Sequence, residues 1–339
     1  MGPPRLNMIR ALLYGLGPIG VMVARQLATR DGFRIVGAVD VDPAKVGRDI
    51  ADIVGLPRPL RLKVTPDPRK AIKLSRPDVV VLCTSSSMRA VMPQIEGVLK
   101  TRVPIVTTTE ELSYPVRRNA SLAKKIDAMA KKARVAVLST GVNPGFVMDA
   151  LPITLTVACE RIDSVTVHRI QDARTRRLPF QQKIGAGLSR EQFRREVERG
   201  SIRHVGLAES ISMIADALGW QLDRITDEVK PKIAATTVSS DFLAVDSGYV
   251  SGIIQDGLGY RDGSPVITMH MEAYLGAPES YDEVRIAGVP NLTLRIPGGV
   301  PGDIATASIV VNSIPKVLSA QPGLQTMKDL PIPSYYSGR

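Results

Sequence analysis

The stretch Ile9-Arg10-Ala11-Leu12-Leu13-Tyr14-Gly15-Leu16-Gly17-Pro18-Ile19-Gly20 decides how the first half of the chain is read. Ile9 to Tyr14 is a short, mostly apolar run of strand length. Gly15, Gly17 and Gly20 follow in Gly-x-Gly-x-x-Gly spacing, and a helical pattern runs from Ile19 to about Thr29. The three glycines differ in what they permit. The first allows a tight turn after a strand, the second lets backbone approach a pyrophosphate, and the third lets the helix pack close to the sheet. The helix N-terminus then turns free N–H groups toward the phosphate. Gly15, Gly17, Pro18, Ile19 and Gly20 are therefore the expected phosphate-binding residues. The next strand, Arg34 to Val39, ends in Asp40, where a carboxylate accepts from ribose hydroxyls and repels a 2′-phosphate. NAD(H) is favoured; Lys45 and Arg48 nearby leave NADP(H) open.

The alternation continues. Val79 to Leu82 is wholly apolar, as a strand buried on both faces must be. Val103 to Val106 and Arg134 to Leu138 are further strands, with helical patterns such as Arg118 to Lys132 between them. Strands alternating with helices imply a doubly wound parallel sheet of Rossmann type. Its ligand crevice lies beyond the strand ends. Those ends are rich in small polar groups: Cys83 to Ser87, Thr107 to Glu111, and Ser139 to Gly145. Thr84, Ser85, Thr108 and Asn143 are expected to line the cofactor, although such residues also cap helices. Glu110 and Glu111 follow three threonines where a nicotinamide ring should lie. One of them is a candidate for catalysis; helix-start acids are the alternative.

After Gly145 the pattern changes. Ile162 to Ile170, Tyr249 to Leu258, Val266 to Tyr274, Glu283 to Ala287 and Leu292 to Ile296 read as strands separated by Gly, Pro and Asp turns. This implies a C-terminal α+β domain on a mainly antiparallel sheet. Helical patterns cover Ser189 to Glu198, Val205 to Leu218 and Asp303 to Leu318, and the proline-bearing tail from Gln321 is expected to wrap a surface. His270 falls on the more polar face of its strand, with Val266, Thr268 and Glu272. Arg169 and Gln171, two apart, share a strand face, and the guanidinium fork of Arg169 suits a carboxylate.

Composition sets the outer limits. The chain has 339 residues, enough for two domains, with 44% hydrophobic and 23% charged residues. Two cysteines, Cys83 and Cys159, give no disulfide framework and favour a reducing compartment, and with three histidines they offer no ready zinc set. The net charge is +11, but the basic pairs are scattered and the chain has five Phe and one Trp. Anionic small molecules are therefore expected rather than nucleic acid. No run reaches membrane-span length and the N-terminus lacks a leader pattern, so a cytoplasmic protein with no membrane partner is expected.

Several stretches are more specific. Thr107-Thr-Thr-Glu110-Glu111-Leu-Ser-Tyr114-Pro115 and Gly141-Val-Asn143-Pro-Gly-Phe146-Val-Met-Asp149 resemble the dihydrodipicolinate reductase-like superfamily. Arg169-Ile-Gln171-Asp172-Ala-x-x-Arg176-Arg177-x-Pro179-x-Gln-x-Lys183-Ile-Gly-Ala-Gly187, His204-Val-Gly-Leu-Ala-Glu209-Ser210 and Gly302-Asp303-x-Ala-Thr-Ala together resemble the 2,4-diaminopentanoate dehydrogenase and native amine dehydrogenase family. The His-His-x-x-Lys stretch of true dihydrodipicolinate reductases is missing; His168-Arg169-Ile-Gln-Asp stands there.

The resemblance implies three segments: a Rossmann domain over 1–147, an α+β substrate and dimerisation domain over 148–300, and a C-terminal helix and tail over 301–339 that return toward the first domain. It implies NAD(P)-dependent oxidative deamination of a primary amine, reversible as reductive amination of a ketone with ammonia, in a homodimer. It places the catalytic carboxylate at Glu110, with Glu111 as fallback, and Asn143 beside the substrate or nicotinamide. It makes Arg169 and Gln171 the holders of a substrate carboxylate, and puts Phe146, His204 and His270 in the substrate pocket. Two other readings remain: a hydroxyl-forming reductase akin to aspartate or homoserine dehydrogenases, which needs no ammonia, and a non-catalytic NAD(H) sensor.

Overall fold

The structure, a computed structural model, describes residues 8–116, 119–202 and 204–338. The expected helix start at Arg118 lies outside these residues. The chain divides into two compact units, one reaching Phe146 and resuming at Pro301, the other spanning Val147–Val300.

The first unit opens with β1 (Ile9–Tyr14), α1 (Pro18–Thr29), β2 (Phe33–Val39), α2 (Ile50–Val54) and α3 (Pro68–Ser75). It continues through β3 (Val79–Leu82), α4 (Met88–Leu99), β4 (Ile105–Thr107), α5 (Ala120–Ala133) and β5 (Ala136–Ser139). The second unit runs through α6 (Ala150–Leu155), β6 (Arg161–Asp172), α7 (Leu178–Lys183), α8 (Arg190–Glu198), α9 (Leu207–Ala217) and β7 (Arg224–Ile233). It ends with β8 (Val238–Ser239), β9 (Ala244–Val245), β10 (Val250–Arg261), β11 (Ser264–Tyr274), β12 (Tyr281–Val289) and β13 (Leu292–Pro297). The chain then returns to the first unit as α10 (Gly302–Leu318) and β14 (Gly323–Gln325).

The first sheet is parallel, in the order β14-β5-β4-β3-β1-β2. The order reverses around β1, so the crevice between the carboxyl ends of β1 and β3 is the topological switch point. All four β3 residues are fully buried, as an apolar run covered on both faces requires. Leu12 and Val80 join Met88, Ile95, Ile105 and Ile126 in one cluster under the helices. α10 docks beside α1, where Gln26 donates to the Ser308 hydroxyl at 2.9 Å and Arg30 to the Asn312 carbonyl at 2.7 Å. The tail also does more than wrap a surface: Gly323–Gln325 adds a strand beside β5, and the Tyr336 ring meets Phe33 edge-on.

The second sheet has the order β13-β12-β6-β11-β10-β7. All its pairs are antiparallel except β6 with β11, so the sheet is mixed. β7 escaped the sequence reading because its residues alternate between half-buried and exposed, with charges along the strand. It is an edge strand, where Pro231 removes no central ladder bond. β11 alternates strictly, with Ile267, Met269, Met271 and Ala273 buried, and Thr268, His270 and Glu272 half-buried. α9 packs against β10 where Gly257 and Gly259 leave room: a Cβ there would meet the Ile211 side chain at 2.9 and 2.8 Å.

Leu12→Ala is expected to destabilise the first unit by about 2–5 kcal/mol. Leu74→Ala on α3, 74% exposed, should stay within about 0.5 kcal/mol. Chemical denaturation of both variants against wild type measures the difference.

Candidate active site

The glycine loop fits a dinucleotide. Gly17 caps α1 without a side-chain hydrogen bond, Pro18 opens the helix, and no acid lies in its first turn. The leading N–H groups thus face outward with no carboxylate to repel a phosphate. A Cβ on Gly17 would meet nothing within 4 Å, so the space over the loop is open. Gly15 has φ +97°, and a Cβ there would strike the Cys83 carbonyl oxygen at 2.7 Å. At Gly20 a Cβ would lie 2.0 Å from the Gly15 carbonyl oxygen. Asp40 accepts the Leu16 N–H at 2.7 Å and the Asp42 N–H at 2.9 Å, which fixes its carboxylate at the loop. Lys45 stands 3.5 Å from Asp40 and 3.1 Å from Asp42, so a cation does sit at the ribose-binding edge.

The other cofactor candidates sit at strand ends with some of their polar groups already engaged. The Thr84 hydroxyl donates to Gln94 at 2.5 Å, and Ser85 accepts the Ser87 N–H at 3.1 Å. The Thr108 N–H donates to the Leu82 carbonyl at 3.2 Å. Burial pushes the Cys83 thiol up to about 12 against a hydrogen bond with Thr108. Asn143 is buried, and the neighbouring Val142 N–H donates to Thr306 of α10 at 3.2 Å. Phe146 is half-buried at the close of this segment.

The two adjacent acids separate. Glu111 accepts the Met88 N–H at 2.8 Å and so caps α4. Glu110 opens the turn Glu110–Leu112 at the end of a buried threonine ladder. The Thr107 and Thr109 hydroxyls lie 2.9 Å apart, and Ser139 donates to the Thr109 carbonyl at 2.6 Å. That ladder sets the backbone from which Glu110 projects.

In the second unit the substrate candidates do not all share a face. The Arg169 and Gln171 side chains both reach the Val300 carbonyl, at 2.9 and 3.5 Å. His270 is in register with His168, and their rings touch edge-on at 5.5 Å. The alternation along β6 and β11 puts that pair on the face opposite Arg169. His270 lies between carboxylates, Asp256 at 2.7 Å from Nδ1 and Glu272 at 3.0 Å from Nε2, and Lys232 continues the chain at 2.8 Å from Glu272. His270 is thus part of a surface charge chain and does not join Arg169.

Arg169 is also not a free clamp. Its Nη1 donates to both Asp282 oxygens, at 2.6 and 2.7 Å, and Nη2 serves Val300. Asp282 in turn accepts the Val300 N–H at 2.7 Å. The arginine side chain is 3% exposed. The nitrogens that the sequence reading assigns to a substrate carboxylate are engaged here by Asp282 and the Val300 carbonyl.

His204 remains with the Arg169 group. Burial, then Lys183, Arg169 and Arg176, push its imidazole down to about 3. Its Nδ1 is buried with no hydrogen-bond partner among the described residues. Three positioning residues were not foreseen. Gln255, fully buried on β10, accepts the His204 N–H at 2.8 Å and donates to the His204 carbonyl at 3.0 Å and to Asp227 at 2.7 Å. Gln181 donates to the Ala173 and Arg176 carbonyls at 3.0 and 2.7 Å, holding the loop that carries Arg176. Asp149 starts α6 by accepting the Ala150 N–H at 2.6 Å and the Ser210 hydroxyl at 2.7 Å. Asp149 and Gln181 fall within the family-like stretches quoted above, whereas Gln255 carries no such signal.

Residues 146–339 match the model of the 2,4-diaminopentanoate dehydrogenase C-terminal domain. The whole chain is 34% identical to 2,4-diaminopentanoate dehydrogenase from Acetoanaerobium sticklandii, over 98% of this chain and 96% of that one. The chain belongs to the 2,4-diaminopentanoate dehydrogenase family. It is 24% identical to an amine dehydrogenase of Streptomyces virginiae, over 96% of this chain and 97% of the relative. The amine dehydrogenase structure from Mycobacterium smegmatis superposes with a TM-score of 0.87 at 27% identity, covering 98% of both chains. Membership makes this chain a nicotinamide-dependent oxidoreductase acting on CH–NH2 groups.

Arg169→Met strands a buried Asp282 and is expected to cost about 3–5 kcal/mol, whereas the double variant Arg169→Met/Asp282→Leu recovers most of it. Thermal unfolding of the three proteins checks this. Neutral His204 contributes stability that is complete above about pH 6.5 and is lost as the pH falls toward 3. The unfolding midpoint of wild type should therefore fall more steeply over that interval than that of His204→Gln. Parallel curves would show that His204 titrates normally.

Proposed function

We propose that this enzyme interconverts 2,4-diaminopentanoate with 2-amino-4-oxopentanoate and ammonia, with NAD(H) favoured and NADP(H) accepted. The observation that carries the chemistry is the division of labour between the two acids. Glu111 is spent on the start of α4, while Glu110 is presented from the ladder. In the amination direction a ketone, an ammonium ion, a proton and a reduced nicotinamide give an alkylammonium ion, an oxidised nicotinamide and water. The nicotinamide supplies the hydride when bound. Glu110 takes a proton as nitrogen adds to the carbonyl carbon. It returns a proton to the hydroxyl that leaves as water, and its charge then pairs with the iminium cation.

Asp40 and the Gly15–Gly20 loop are the cofactor holders in this reading, with Thr84, Ser85, Thr108 and Asn143 along the strand ends. The 34% identity to a 2,4-diaminopentanoate dehydrogenase supports a carboxylated substrate, and Lys183 and Arg176 both act on the His204 ring. Gln171 orients Arg176, whose Nη1 donates to its Oε1 at 3.3 Å, and Phe146 contributes apolar surface. The segments 1–147, 148–300 and 301–339 serve as cofactor, substrate and returning elements. We assign a second copy of the chain to the polar sheet face that carries His168 and His270. There acids and bases alternate across strands, as in Lys232–Glu272–His270–Asp256 and Arg285–Glu283–Arg295, a pattern able to pair with itself. The two free cysteines and the absence, among the described residues, of a helix able to cross a membrane support a cytoplasmic location.

Loss of reduced-nicotinamide absorbance with 2-amino-4-oxopentanoate, with and without ammonium, tests the reaction. Oxidation is expected only with ammonium; ammonium-independent oxidation would replace this reading with a hydroxyl-forming reductase. Glu110→Gln is expected to lower kcat by about 10²-fold or more with NADH binding retained. Near-normal turnover in that variant would remove Glu110 from the mechanism.

A further inference from the structure

A cleft of about 780 Å³ opens at the amino ends of β3 and β4, lined in part by α3 and the last turn of α4. Five cations line it, Arg69, Lys73, Arg76, Lys100 and Arg102, and no acid does. Ile72, Pro77 and Val103 add buried apolar surface. The dinucleotide loop and Glu110 lie at the carboxyl ends of the same parallel sheet, so this cleft is a separate place.

The helix dipole accounts for Lys73 in the last turn and Arg76 at the cap, but not for Arg69 or for the like-charge spacing. Arg69, Lys73 and Arg76 stand at i, i+4 and i+7, one stripe of like charge along α3 and its cap. Like charges four apart destabilise a helix. Arg69 also sits in the first turn, where the helix dipole disfavours a cation. The nearby acid, Asp67, spends its carboxylate on the Lys70 N–H at 3.0 Å. Lys100 is accounted for by Glu96 at 3.0 Å. Among the described residues, Arg69, Lys73, Arg76 and Arg102 have no carboxylate within 4.0 Å. Opposite them α4 carries Gly97, where a Cβ would meet nothing within 4 Å.

A same-sign stripe facing a glycine gap above apolar surface suits an anion with several charges in a row. We propose that this cleft binds a small molecule carrying a phosphate chain, either a nucleoside polyphosphate or an inorganic polyphosphate. The guanidinium groups of Arg69, Arg76 and Arg102 take the phosphate oxygens in bidentate fashion, and Lys73 and Lys100 act as point charges.

Calorimetric titration tests this on the full chain held at saturating NADH, which occupies the dinucleotide site. The probes are ATP and inorganic tripolyphosphate. Wild type is expected to bind at least one of them, with affinity falling as salt rises. Arg69→Glu/Lys73→Glu/Arg76→Glu should weaken binding at least about tenfold, since the substitutions reverse the charges that contact the ligand. Gly97→Glu should give a comparable loss without removing any cation, and glutamate suits a helix better than glycine. Unchanged thermal unfolding and NADH fluorescence titration in both variants establish that fold and crevice are intact. Tighter binding of ATP identifies a nucleoside occupant resting on the apolar surface; equal binding identifies the phosphate chain alone. No heat with either probe at millimolar concentration, or variants that bind as wild type does, would overturn the proposal. The outcome does not depend on which amine the enzyme uses.

Discussion

The central strands of the first sheet are closed on both faces, and this burial governs where chemistry can occur in that unit. Val79–Leu82 offers no exposed atom along its length, and Leu12 and Leu13 of β1 are equally sealed. A polar side chain placed there would lose its water without a partner. Polar groups are therefore confined to the strand ends. At the carboxyl ends the chain supplies glycines, Asp40, the threonine ladder and Glu110. The ladder shows how such a group is fixed: buried hydroxyls bond to one another and to backbone, so the acid that follows inherits a set direction.

The second unit solves a different problem, because its sheet has two unlike faces. On the face carrying Arg169 every buried polar group needs an internal partner. Arg169, Asp282 and Val300 close a ring of bonds across β6, β12 and the chain that leaves β13. Gln255 does the same for the backbone ahead of α9. These contacts add little net stability, since the ions were well solvated before folding. Their effect is specificity: each fixes one arrangement of strand and loop, because any other leaves a dry charge or amide. His270, on the other face and partly wet, tolerates a looser chain of ion pairs.

How much of this was legible depended on sequence distance. The glycine spacing, Asp40 and the apolar strands form a local pattern, and the strands were read close to their observed limits. The alternation of β11 was equally local and correctly split His270 from Met269 and Met271. What the sequence does not show depends on a distant partner. Asp282 lies 113 residues from Arg169, and without it the arginine reads as a free fork. The parallel pairing of β6 with β11, which sets His270 against His168, joins strands far apart in the chain. Residue type alone does not separate Glu110 from Glu111; the family resemblance favours Glu110, and in the structure Glu111 is the acid that holds the Met88 N–H. β7 was missed because an edge strand lacks the apolar run that marks a buried one.

Charge is unevenly distributed in this chain. A net charge of +11 by itself serves solubility. A surface shaped only for solubility and stability intersperses the two signs, as α8 does with Glu191–Arg195 and Glu196–Arg199. The stripe along α3 breaks that pattern: three cations share a face with no acid among the lining residues. It concentrates repulsion that the fold must absorb. Spacing of this kind is unfavourable to the folded chain alone and becomes favourable once an anion lies between the charges, so the excess is better understood as placed than as spread.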